Sequence, residues 1–144
     1  MADPVSILLI EDSETDVEIA EWTFKKANIT NPLYIAGDGV QALEMLSAED
    51  ENKIAQPCVL LIDINMPRMD GFAFLEAIRD NQALNKNIAF MLTTSSWERD
   101  IERAYSMNVA GYILKDDIKR LSEFLGGYLK INHFPDGHRE INVK

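Results

Sequence analysis

Cysteine is almost missing from this chain: Cys58 stands alone, so no disulfide can form within it, and a small apolar core side chain is the expected role. The two histidines, His133 and His138, have no cysteine or histidine at zinc-ligand spacing and read as solvated surface. Basic residues are scarce, 14 Lys and Arg against 24 Asp and Glu for a net charge of -10, and they form no local patch. A phosphate backbone would be repelled, so nucleic acid is not an expected partner. Long apolar runs are also missing. No window approaches the roughly 18 apolar residues of a membrane span, and Met1-Ala2-Asp3-Pro4 lacks the basic start of a secretion signal. A soluble protein of the reducing cytoplasm is expected.

What the chain does hold is enough apolar residue for one core. Its 144 residues are 47% hydrophobic and 26% charged, the size and balance of a single globular domain. Short apolar runs at Val5–Ile10, Leu33–Ala36, Cys58–Ile62, Ile88–Leu92 and Ala110–Leu114 predict five strands. Between them, helical spacing recurs at Val17, Ala20, Phe24 and Ala27, at Val40, Leu43, Met45 and Leu46, at Phe74, Leu75 and Ile78, from about Ser96 to Met107, and at Ile118, Leu121, Leu125 and Tyr128 or Leu129. Gly126-Gly127 weakens the last helix by about 1 kcal/mol per glycine. Strands alternating with helices through short connections require parallel pairing by crossovers. The expected fold is α/β, a doubly wound five-stranded parallel sheet flanked by five helices.

In such a sheet, ligands gather at the carboxyl edge. The first strand ends in Glu11-Asp12, the third in Asp63, the fourth in Thr93, and the fifth delivers Lys115. Crowded carboxylates repel one another, and a hard divalent cation that keeps some of its own waters relieves that repulsion; Mg²⁺ is the expected ion.

These residues resemble the receiver domain of two-component response regulators. The likeness is carried by the acidic pair Glu11-Asp12, by Asp63 followed by Met66-Pro67 and Met69-Asp70-Gly71, by Leu92-Thr93, and by Gly111-Tyr112-Ile113-Leu114-Lys115. The intervals of 30 residues from Asp63 to Thr93 and 22 from Thr93 to Lys115 resemble those of chemotaxis-type receivers. The resemblance implies a flavodoxin-like receiver with strand order 2-1-3-4-5 over residues 5–131; residues 132–144, with Pro135, Gly137 and scattered charge but no clear period, read as a flexible or partner-ordered extension. It implies that Asp63 is phosphorylated by a sensor histidine kinase, that Glu11, Asp12, Asp63 and the main-chain carbonyl of Asn65 hold Mg²⁺, that Thr93 and Lys115 bind the phosphoryl group, and that Thr93 and Tyr112 form the switch. Such a protein is no enzyme beyond catalysing its own phosphorylation and dephosphorylation.

With no output domain expected after residue 131, the signal passes to a downstream protein by contact. A homodimer through the last helix, the fifth strand and the preceding helix is one such output, with Tyr105, Phe124 and Tyr128 either on its face or in part taken up by core packing. Single-domain regulators paired with bacterial phytochrome kinases look similar. Trp22 and Ile19 fall off the buried stripe of the first helix and suggest a docking surface.

Two other readings compete. A phosphatase of the haloacid dehalogenase type would use Asp63 as nucleophile, but needs a second aspartate two residues on, where Asn65 cannot act as general acid and base. A pseudo-receiver that is never phosphorylated draws on one departure: Asp116 follows Lys115 where receivers commonly place a proline, often through a cis bond. A non-proline cis peptide costs roughly 3 kcal/mol. Asp116 and Asp117 either weaken the pull of Lys115 on a phosphoryl group or cap the last helix at its positive end.

Overall fold

The computed structural model describes residues 4–135. Five strands, β1 (Ile7–Ile10), β2 (Leu33–Ala36), β3 (Val59–Ile62), β4 (Ile88–Thr93) and β5 (Gly111–Leu114), alternate with five helices, α1 (Glu14–Lys26), α2 (Gly39–Ser47), α3 (Gly71–Arg79), α4 (Glu98–Ser106) and α5 (Ile118–Ile131). All strands pair in parallel in the order β2-β1-β3-β4-β5.

Alternation along the strands divides the core. Leu8, Ile10, Leu60, Ile62, Ala89 and Met91 face α2, α3 and α4, packing on Leu46, Phe74, Leu75 and Ala104. Ile7, Leu9, Val59, Leu61, Phe90 and Leu92 face α1 and α5, packing on Ala20, Phe24, Leu121 and Leu125. The central strands β1 and β3 are therefore buried on both faces, which is why they read as continuous apolar runs. Cys58 is fully buried at the foot of β3.

The helices begin at identifiable caps. Ser13, Asp38 and Asp70 accept the backbone N–H of Asp16, Gln41 and Ala73 respectively, satisfying donors that have no partner inside the helix. The helix expected from Ser96 starts two residues later, because Ser95 and Trp97 form a turn in which the Trp97 N–H donates to Ser95 Oγ. The glycine pair 126–127 leaves α5 unbroken to Ile131, since Leu121 and Leu125 anchor it to the sheet and tertiary packing outweighs propensity.

At the amino edge of the sheet, Arg79 gathers loose ends. Its guanidinium donates to the carbonyls of Met107 at 2.9 Å, Asn85 at 3.0 Å, Asn87 at 2.9 Å and Asn108 at 3.0 Å. It thereby joins the end of α3 to the segments entering β4 and β5.

Of the expected extension, residues 132–135 are described, and Phe134 packs edge-on against Tyr128 with ring centroids 5.9 Å apart. The remainder, with His138, lies outside the described residues. Trp22 is 63% and Ile19 45% exposed, in keeping with their position off the buried stripe of α1. No helix among the described residues is long and apolar enough to cross a membrane.

Candidate functional site

The sheet carries the expected residues to one edge. Ile10 and Ile62 are paired across β1 and β3, so Glu11 and Asp63, the next residue on each strand, leave the sheet side by side. The ladder continues one step past the strands: the Asp63 N–H donates to the Ile10 carbonyl at 3.1 Å, and the Glu11 N–H to the Ala36 carbonyl at 2.9 Å. Thr93 pairs with Leu114 across β4 and β5, which places Lys115 just beyond. One oxygen from each of Glu11, Asp12 and Asp63 lies within 4.8 Å of the others.

Lys115 spans the site. Its Nζ lies 2.8 Å from Glu11 Oε1, 2.7 Å from Asp16 Oδ2 and 3.5 Å from Asp63 Oδ2. Burial works against its charge, but the hydrogen bonds to Asp16 and Glu11 and the charge of Asp63 overcome that cost and raise its pKa. In the carboxyls the upward shift instead disfavours the charged form. Burial is the main cause that pushes Asp63 and Glu11 above the ordinary carboxyl range, with the Asp12 charge adding to Asp63 and the Asp63 charge adding to Glu11, against the lowering effect of Lys115. One ammonium faces three carboxylates, those of Glu11, Asp16 and Asp63, so the cation is held firmly while the buried Glu11 and Asp63 stay under-compensated.

Such a set fits a hard divalent cation: three clustered carboxylates, two of them buried, supply oxygen ligands and an unrelieved negative charge. Asn65 lies two residues beyond Asp63 on the exposed rim. Its loop turns back through the Gly71 N–H donating to the Ile64 carbonyl at 2.8 Å.

Thr93 is fully buried, and its Oγ1 accepts the Ser95 N–H at 3.3 Å. The Tyr112 hydroxyl donates to the Ser95 carbonyl at 2.9 Å, and Ser95 Oγ donates to Asp100 Oδ2 at 2.6 Å. Thr93 and Tyr112 are thus joined through the backbone of a single residue, Ser95, which in turn is tied to α4.

Three of these residues were not expected from sequence. Asp16 looks like an ordinary acid in the first turn of a helix; only its fold-level neighbour Lys115, 99 positions away, reveals another use. Ser95 carried no signal beyond its turn chemistry. Arg68, at a left-handed φ of 63°, grips Asp38 with two hydrogen bonds of 2.8 and 3.1 Å and ties the loop after Asp63 to the start of α2.

Among the described residues the only cis peptide is Gln56-Pro57, so Lys115-Asp116 is trans, and the chain turns through one 3-10 turn at Lys115–Asp117 directly into α5. Asp117 occupies the cap position of α5 but makes no side-chain capping hydrogen bond, so any contribution there is through charge and not through a bond.

Residues 7–125 match the family described as "Response regulator receiver domain". The chain belongs to that family. "Response regulator Rcp1" of Synechocystis is 32% identical over 126 residues, covering 86% of each chain, and a crystal structure of its Mn(2+)-bound form aligns with a TM-score of 0.78 and 30% identity over 92% of this chain and 99% of that one. "Probable methanogenesis regulatory protein FilR2" of Methanothrix harundinacea is 31% identical over 130 residues, covering 88% of this chain and 84% of the relative. The bacteriophytochrome response regulator AtBRR aligns with a TM-score of 0.75 at 26% identity, over 92% of this chain and 97% of that one. The receiver fold with strand order 2-1-3-4-5 is therefore the one this chain adopts, and its receiver character leaves the dehalogenase-type phosphatase without support. An acidic divalent-metal site of the receiver type fits Glu11, Asp12 and Asp63.

Proposed function

We propose that Asp63 accepts a phosphoryl group from a sensor histidine kinase and that the resulting charge alters the surface around α4, β5 and α5. The observation that carries this reading is Lys115 Nζ at 3.5 Å from Asp63 Oδ2 within the carboxylate cluster: a nucleophilic carboxylate and a cation for the incoming oxygens occupy one pocket. An Asp63 oxygen attacks phosphorus, the phosphorus–nitrogen bond of the donor phosphohistidine breaks, and the imidazole leaves with the bonding pair and takes up a proton. Lys115 balances charge on the phosphoryl oxygens, and Thr93 presents its hydroxyl to one of them. Glu11, Asp12, Asp63 and the Asn65 carbonyl would hold Mg²⁺, which supplies further compensation for phosphate charge.

The phosphoryl group adds up to about two negative charges beside Thr93. A shift of Thr93 acts on the Ser95 N–H, and Tyr112 sits on the carbonyl of the same residue. That backbone link favours Thr93 and Tyr112 as the switch, with α4 following through Asp100. The phosphoaccepting domain spans residues 5–131 and works in the cytoplasm, with self-catalysed gain and loss of the group as its only chemistry.

The kinase is a phytochrome-type sensor by analogy with the regulators above, and the output is contact with a downstream protein or a second copy of this chain. Supporting the latter, an open groove of about 620 Å³ lies on the α4-β5-α5 face, lined by Ile101, Tyr105, Tyr112, Leu121 and Phe124, with Tyr105 and Phe124 about half exposed. Light scattering with and without phosphorylation tests the dimer; a monomer in both states removes it.

The phosphorylation itself is tested by incubating the protein with acetyl phosphate and Mg²⁺ and recording intact mass. One added phosphoryl group, absent in Asp63→Asn, is expected. No addition, or addition that survives Asp63→Asn, overturns the reading and leaves the pseudo-receiver in its place.

A further inference from the structure

The closest partner of Lys115 is not the residue it is expected to serve. Asp16 Oδ2 lies 2.7 Å from Nζ, against 3.5 Å for Asp63 Oδ2, and the side chains of Lys115 and Asp16 are 18% and 35% exposed. The start of α1 explains how Asp16 is free to do this. Ser13 caps the helix and accepts the Asp16 N–H at 3.2 Å, which makes Asp16 the third helical residue, the position from which an acid ordinarily reaches back to the cap residue's own N–H. Here that N–H is taken by Glu11 Oε2 at 3.1 Å. Glu11 closes the cap, and the Asp16 carboxylate turns across the site to the ammonium.

We propose that Asp16 is a positioning residue that holds Lys115 back from Asp63, so that phosphorylation requires Lys115 to exchange the Asp16 carboxylate for a phosphoryl oxygen. The inference rests on Asp63 as phosphoacceptor. Glu11 cannot fill the same role independently, because it belongs to the metal-binding cluster and to the cap, whereas Asp16 touches the site only through Lys115. The restraint has a definite sign. Breaking the Asp16 contact is a cost borne when the phosphoryl group is bound, so removing the carboxylate favours the bound state. For a partly exposed ion pair the effect is about two- to fivefold.

The test compares wild type, Asp16→Asn and Asp16→Glu at saturating Mg²⁺. Rates of acetyl phosphate-driven phosphorylation are read by intact mass, and the affinity for trifluoroberyllate, a stable phosphoryl mimic, by fluorine NMR. Asp16→Asn is expected to phosphorylate and to bind the mimic about two- to fivefold better, with Asp16→Glu close to wild type. A bulk charge effect is separated by repeating the mimic titration in a Lys115→Ala background, where Asp16→Asn is expected to change nothing. Melting curves identify any variant that fails to fold, and Asp16→Ser, which removes the same charge with a smaller side chain, then supplies the measurement. Unchanged or weaker binding, or an equal gain without Lys115, overturns the proposal. Should wild type take up no phosphoryl group on Asp63, the phosphoacceptor reading fails with it; should Asp63 be phosphorylated at equal rates with and without the Asp16 carboxylate, only the restraint fails.

Discussion

Gly71 lies directly beneath the main-chain carbonyl of Asp63, so close that a Cβ on the glycine would overlap the carbonyl oxygen and come within 3.0 Å of the Ile64 Cα. Both obstacles are backbone and cannot rotate away. Gly71→Ala must therefore push α3 off the loop that presents Asp63. A loss of about 1–3 kcal/mol in urea unfolding is expected, together with slower phosphorylation. Wild-type stability in this variant would show that the loop yields without cost.

The two buried acids set a pH dependence. Asp63 and Glu11 both have raised pKa values in the folded protein, chiefly through burial. Between the unfolded and the raised folded values the native state binds more protons, so stability from these groups is greatest at low pH and declines as pH rises through the folded values. Above those folded values both carry a charge that burial makes unfavourable. Asp63→Asn, which removes one of those charges, is expected to raise the melting temperature by a few degrees at pH 7 without divalent cation, and the gain should shrink as pH falls toward 4. A variant less stable than wild type at pH 7 would contradict this.

Metal affinity runs in the opposite sense. Ligand carboxyls must be ionised to bind a cation, so Mg²⁺ affinity measured by calorimetry should drop at a pH above that at which ordinary exposed carboxyls titrate. A pH midpoint at the ordinary carboxyl value would place the ion elsewhere.

Cys58 offers a probe of the whole fold. The thiol is fully buried at the base of β3, and burial pushes its pKa up to about 12, so the reactive thiolate is scarce as well as hidden. Labelling by a thiol reagent at pH 7.5 should proceed only through global unfolding and respond to urea with the equilibrium slope. Rapid labelling of native protein would show local opening of the central strand.

The sheet and its acidic edge were legible because burial on both faces leaves runs such as Val59–Ile62 without polar interruption, and because strand ends converge whatever the sequence distance between them. Asp63, Glu11, Asp12, Thr93 and Lys115 followed from that rule. Asp16 and Arg68 did not, since each acts through a single side-chain contact, to Lys115 and to Asp38, that no periodicity encodes. Ser95 escaped for another reason: its link between Thr93 and Tyr112 runs through main-chain N–H and C=O groups, which every residue except proline possesses, and only its tie to Asp100 uses the side chain. The conformation after Lys115 is not legible in a sequence that places Asp116 where receivers commonly have proline; a 3-10 turn leads the trans chain into α5.

Arg79 makes a separate prediction. Its four carbonyl acceptors would lose a charged donor in Arg79→Met, and the two part-buried ones, at Asn87 and Met107, could not all find water. A loss of about 2–3 kcal/mol is expected, with the phosphorylation rate little changed because the contact lies at the far end of the sheet. A large fall in rate at unchanged stability would contradict that separation.

That fork of hydrogen bonds also makes the molecule mechanically lopsided. Where β4 and β5 enter the sheet they are riveted to one guanidinium; where they leave it, Thr93 and Tyr112 hang on the backbone of Ser95 by two neutral hydrogen bonds. In the proposed switch, a phosphoryl group at the open end would work on those two neutral hydrogen bonds against an anchored base, which favours displacement of α4 and β5.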